Sequence, residues 1–475
     1  MSKDRCKRVT TQIDLKLSGM SNSTTTEQRI FRVHHRLRSQ NEEAYEPQMF
    51  SIGPYHCGKS SLEEGQTHKL RYLKELLSRT GESSAEKYIE ALTNLEDKAR
   101  GWYAEDDLIG LGADEFVEMM CLDGCFIIDF FRKFGAKYGT VDVNYLPKAD
   151  DPIFQKRWIM GSLFRDILLF ENQLPFFILV QLFDMTKPPG GAIEVNLIDL
   201  ATFPESPLHS FFPGEKPESF TNPTTVLRDR DAQHVVHLLH LVHECWCWSF
   251  AAKLRAPADV EIQGNRVSRV VYSTRGGNLE HIESASELRQ TGIKFEKAKQ
   301  SVSWLDITFE RGVMKIPPLY VHDVTECVLR NLIAYEMYTL NGPWDRKYVL
   351  DYVTFMDSLI DSSSDVEKLR SRKIMTKWLG DDEAISSMFN KLGKEVEFDQ
   401  GNRLFCYWKV FQRVNEYSSS RWNTWRAHLL RNYFNNPWSI ISFLAALVLL
   451  FLTLVATISS ILQYTDQPNC ICKSS

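Results

Sequence analysis

The 475-residue chain has no Walker sequence, no dinucleotide glycine fingerprint and no Gly-Xaa-Ser-Xaa-Gly elbow. Neither a nucleotide cradle nor the common serine-hydrolase frame is therefore signalled. Cysteine is sparse: ten residues are too dilute to staple a disulfide scaffold. Most sit in apolar company, as in MMCLDGCFII at 119–128 and HECWCW at 243–248, and read as buried free thiols in a reducing compartment. Charge of one sign is lacking too. With 56 basic and 61 acidic residues the net charge is −5, so no whole-protein field gathers nucleic acid. No short-period repeat points to a solenoid. Residues 1–29 hold no apolar run of signal-peptide length; charged and rich in Ser and Thr, they are expected to form a disordered tail.

Apolar mass is plentiful. Hydrophobic residues make up 43% of the chain and aromatics 12%, enough for a bulky core. One stretch goes further. Ile440 to Leu462 contains no charged residue, and its polar members are only Ser and Thr. A helix of this length rises roughly 35 Å, enough to cross a hydrocarbon layer of about 30 Å. Arg421, Arg426 and Arg431 precede the run and only Lys473 follows it, which favours a cytosolic amino-terminal side. Trp425, Tyr433, Phe434 and Trp438 sit where an interfacial aromatic belt would rest. The expected layout is a single cytosolic domain over 30–430, a membrane helix over 440–462, and a non-cytosolic tail over 463–475. As the run emerges last in translation, post-translational insertion is expected.

The domain reads as mainly α. Helical spacing predicts helices over 62–77, 84–102, 113–134, 154–170, 176–183 and 229–250. Ser284 to Glu287 and Asp323 to Glu326 both fit capping boxes, the second opening a helix to Leu340. Helices over 348–360, 365–370 and 382–392 follow. Leu305, Ile307 and Phe309 alternate with polar residues, Arg311-Gly312 can turn the chain, and 313–316 can return: a small β-hairpin. Regions 187–226 and 252–277, rich in Pro, Gly and charge, are expected to be mobile surface insertions.

Two groups could carry chemistry. His234, His237, His240 and His243 recur every three residues, followed by Glu244. Each step turns a helix by about 300°, so His237, His240, His243 and Glu244 are at best weak metal candidates. A structural or lipid-facing polar stripe is preferred. Asp123, Asp166, Glu171 and Asn172 lie in strongly apolar surroundings. Buried carboxylates must be paired or see their pKa rise, and two facing each other could run acid–base chemistry. Helix capping and ion pairs to Arg132 or Arg165 are the preferred account, and no catalytic residue is assigned. His56 beside Cys57 is discounted as a nucleophile pair, because adjacent residues rarely orient that way.

Several longer motifs stand in order along the chain: Tyr45-Glu46-Pro47 leading to SIGPYH at 51–56, Leu122 to Phe126, Asp166 to Phe177, Leu288 with Thr291-Gly292-Ile293, Ile316 to Leu319, Asn331 to Glu336 and Asn436-Pro437-Trp438. On these motifs the chain resembles the large plant family of domain of unknown function 247. The resemblance spans about Ile30 to the membrane run. Val33-His34 departs from the family's usual Val-Pro. The resemblance implies a mostly helical plant protein with a carboxyl-terminal membrane helix, in a family with members linked to pollen–stigma self-incompatibility and to stress or growth. It carries over no catalytic motif. The expected partners are a lipid bilayer and a protein, with no nucleic acid, no cofactor and no assigned oligomeric state. The leading functional expectation is an interaction or signalling module. The alternative is a membrane-associated hydrolase or transferase using the buried acidic residues.

Overall fold

The computed structural model describes residues 2–19, 29–104, 108, 110–187, 195–203, 205–214, 234–255, 281–299, 301–340, 346–377, 380–394, 405–420 and 437–465. The protein is mainly α, with minor strands and one long apolar helix near its carboxyl end. The first helix, α1 (Ser2–Gly19), occupies part of the expected tail, and its described side chains are exposed.

The domain's first half is organised around α5 (Ala113–Lys137), apolar on nearly every side and buried along most of its length. Against it pack α2 (Glu63–Thr80), α3 (Glu86–Thr93), α4 (Glu96–Arg100), α7 (Phe176–Met185) and α8 (Leu197–Thr202). The helix expected over 84–102 is broken between α3 and α4. The one expected over 154–170 is a turn at Pro152–Gln155 followed by α6 (Arg157–Asp166). Beyond Asp166 the backbone leaves the helix, and two amide side chains take the carbonyls this orphans. Asn172 Nδ2 donates to Asp166 O at 2.9 Å, and Gln173 Nε2 donates to Ile167 O and Leu169 O at 2.8 and 2.7 Å.

Within the mobile insertion expected over 187–226, residues 197–202 form a helix and several side chains between 197 and 212 join the core. There α8 is capped by Asn196, and Leu197, Leu200, Ala201, Phe203, Leu208 and Phe212 are buried. Pro and Gly at the margins set off this short apolar helix. Residues 188–194 and 215–233 lie outside the described residues, as does most of 252–277. The helix expected from 229 starts at Leu238: α9 runs Leu238–Arg255.

The second half packs α9, α10 (Ala285–Gln290), α11 (Thr325–Thr339), α12 (Tyr348–Leu359), α13 (Ser363–Ser371) and α14 (Asp382–Leu392). The capping box at Ser284 forms. The one expected at Asp323 does not: Thr325 Oγ1 instead accepts from His322 N at 2.8 Å. The hairpin is present as β2 (Thr308–Glu310) antiparallel to β3 (Val313–Ile316), with Arg311 and Gly312 turning at positive φ. A parallel strand, β1 (Lys294–Lys297), widens it to three, and β4 (Leu319–Val321) pairs in parallel with β5 (Met375–Lys377). Helix α15 (Trp408–Ser418) lies against β2. One hydrophobic cluster runs through both halves, from Ile30 to Val414.

The last helix, α16 (Pro437–Thr465), is continuous. Its segment Ile441–Leu462 is long and apolar enough to cross a membrane, and none of it is buried against the domain. Ile440 and Trp438 lie on its first turn and Leu462 near its far end, while Arg426 and Arg431 lie outside the described residues. The arrangement is consistent with a single-pass anchor and a large cytosolic domain.

Candidate functional site: a buried polar clamp and a histidine cluster

Residues 46–56 form an irregular stretch through the core, where each backbone N–H needs a partner in place of water. The four polar residues singled out by sequence converge on it. Asp166 accepts from the backbone N–H of Gln48, Met49 and Phe50 at 2.9, 2.8 and 2.9 Å. Asn172 accepts from Ile52 N at 2.6 Å and donates to Phe50 O at 2.9 Å. Asp123 accepts from Gly53 N at 2.9 Å and pairs with Lys69 Nζ at 2.5 Å. Glu171 takes Val33 N and Arg38 at 2.7 Å each and faces His56 Nε2 at 3.5 Å.

The electrostatics follow from burial. Asp123, Asp166 and Glu171 are held above their ordinary range by desolvation, which outweighs Lys69, the three backbone donors and Arg38 respectively. His56 moves the other way: burial, then the Lys59 ammonium, push it down to about 3. Its Nδ1 lies 2.9 Å from Lys59 Nζ.

The expected ion pairs are only partly those formed. Arg165 reaches Asp166 at 3.1 Å and also donates to the carbonyls of Glu43 and Glu46. Arg132 instead donates to Thr186 Oγ1 and Phe183 O at the end of α7. Lys69 and Asn331 were not foreseen. Asn331 accepts from Phe170 N and donates to Ala44 O and Cys327 O, all at 2.8 Å, tying α11 to the clamp. Their only signal is a polar residue among apolar ones, which any exposed helix face also shows.

A groove of about 920 Å³ lies elsewhere, between the three-stranded sheet and α15, with Glu296, Arg311, Lys315 and Arg413 among its walls. None of the four clamp residues lines it.

His237, just before α9, and two histidines of α9 lie around the ring of Tyr335. His237, His240 and His243 lie 5.5, 5.5 and 5.1 Å from it, centroid to centroid. They do not share one focus. His237 Nδ1 accepts from His240 N, His240 Nδ1 accepts from Val236 N, and Glu244 is 3.9 Å from His240. His243 turns away to Glu336 on α11, with Nε2 2.7 Å from Oε1, and Cys247 completes a buried group one turn along. The group sequence reasoning singled out is therefore regrouped: His243 keeps company with Cys247 and Glu336, which it had not included. Glu336 also accepts from Val349 N and Leu350 N at 2.9 and 2.8 Å, capping α12. Burial pushes His243 down, but Cys247 and Glu336 prevail and hold it well above its ordinary value.

Comparison with known proteins now places the chain. A family described as plant protein of unknown function, DUF247, matches residues 30–452. The chain belongs to this family. It is similar to the UPF0481 protein At3g47200 of Arabidopsis thaliana, 29% identical, over 92% of this chain and 87% of the relative. It is also similar to the putative UPF0481 protein At3g02645 of the same plant, 23% identical, over 89% of this chain and 88% of that one. No solved structure matches. The clamp and Glu336 both fall inside the DUF247 match.

Proposed function

We propose that this DUF247 protein is a membrane-anchored interaction module, whose helical domain presents a surface to a protein partner from the cytosolic face of a bilayer. The observation that carries the reading is α16: its uncharged stretch Ile441–Leu462 lies wholly outside the core and is long and apolar enough to sit in a bilayer. The domain it carries uses its most conspicuous buried carboxylates as acceptors for its own backbone. That use weighs against the hydrolase or transferase reading, since an acid–base pair needs an oxygen free to meet substrate.

Proximity labelling in plant tissue tests the proposal, comparing the full chain with one lacking residues 440–475. A set of protein neighbours that depends on the anchor is the expected result. Identical neighbours for both chains would remove the anchor from the function and overturn it.

A further inference from the structure

The geometry points to a zinc site built by His243, Cys247 and Glu336, stapling α9 to α11 and, through Glu336, to the start of α12. His243 and Cys247 are four residues apart on one face of α9, and Glu336 comes from α11. One ligand atom from each lies within 4.8 Å of the others. All three residues are buried, at 2%, 2% and 0% exposure.

The chemistry of the set selects the ion. Thiolate, imidazole and carboxylate together suit Zn²⁺, with contacts of about 2.0–2.3 Å, whereas Mg²⁺ and Ca²⁺ favour all-oxygen shells. Thiolate and carboxylate bring two negative charges, matching a divalent cation, so the loaded site adds no net charge to the core. Loading releases two protons to solvent, one from the Cys247 thiol and one from the His243 imidazole. The backbone N–H groups of Val349 and Leu350 already fix the Glu336 carboxylate, as outer partners of metal ligands commonly do.

A second observation concerns the His243 ring itself. His243 Nδ1 is buried and makes no hydrogen bond of ordinary geometry, while Nε2 is engaged by Glu336. A core imidazole held only by a hydrogen-bonded carboxylate would leave that nitrogen unmet, as buried polar atoms rarely are. A metal in the cluster gives the ring a reason to be there. His237 and His240, bonded to backbone N–H groups of their own turn, are not part of the site.

The test uses the full chain, produced with zinc supplied, purified in detergent and dialysed. About one zinc per chain is expected. Cys247→Ser and His243→Ala should each lower occupancy about tenfold or more, while Cys245→Ser, at a neighbouring buried thiol, should leave it unchanged. Cobalt substitution of the unmutated chain should add a thiolate-to-cobalt charge-transfer band. Cys247→His should keep the metal and lose that band, which separates loss of a ligand from loss of the fold. A chain that takes up neither zinc nor cobalt overturns the assignment. So does zinc retained equally by the Cys247→Ser and His243→Ala variants.

Discussion

Lys69 and Asp123 meet at 2.5 Å in the core, each side chain 1% exposed, directly beneath the backbone of Gly53. The lysine also donates to Ser51 O at 2.5 Å, so one ion pair pins two points of the 46–56 segment. Removing one partner strands a buried charge. Asp123→Ala should therefore destabilise the domain by about 3–5 kcal/mol. A Lys69→Met, Asp123→Leu double variant should recover part of that loss, since the remaining charge goes with its partner. Chemical denaturation of the full chain in detergent, followed by circular dichroism, measures both. A double variant less stable than Asp123→Ala would show that the ion pair is not the source of the loss.

Gly53 has φ 77° and ψ −175°, a region open essentially to glycine alone. A Cβ there would also sit 2.5 Å from the carbonyl oxygen of Gln173. Gly53→Ala should cost at least about 1–3 kcal/mol from backbone strain, with the clash added. Gly58, also at positive φ, has open space around it, and Gly58→Ala should cost less. Equal shifts in melting temperature for the two would contradict the close approach.

Acid should attack the clamp through His56. Its folded pKa of about 3 lies below the ordinary 6.5, so the unfolded chain binds the extra proton between those values. Stability from this group is complete above about 6.5 and is lost as pH falls toward 3. Asp123, Asp166 and Glu171 are shifted upward and contribute the opposite slope over the acid end of this range. The readout is therefore the difference between the wild-type chain and His56→Gln. Over the middle of the window, the wild type should show about one proton more of pH dependence. Parallel curves would mean that His56 does not titrate as its burial requires.

The anchor gives a fractionation result. The full chain should stay with membranes through alkaline carbonate extraction, and a chain lacking 437–465 should be released. In sealed vesicles, protease added outside should digest the large domain if it faces the cytosol. A charge at Leu450, mid-way along the exposed apolar stretch, should weaken insertion by about 2.5–3.5 kcal/mol. Protection of the domain would reverse the orientation drawn from the flanking arginines.

Composition and local period alone determined the anchor, most helices and the β2–β3 hairpin. An uncharged run needs no partner to be recognised, and helical spacing or alternation is written within a dozen residues. The tertiary structure decided the rest, because it depends on distant pairings. Gly53 N finds Asp123 across 70 positions, Gln48 N finds Asp166 across 118, and Val33 N finds Glu171 across 138. Sequence showed that those carboxylates had to be satisfied in an apolar setting; only the packing of 46–56 against α5 and the turn after α6 showed what satisfies them. The same holds for His243, whose place in a regular row suggested its nearest histidines. Its actual partner, Glu336, lies 93 residues away on α11, because core packing brings α9 and α11 together.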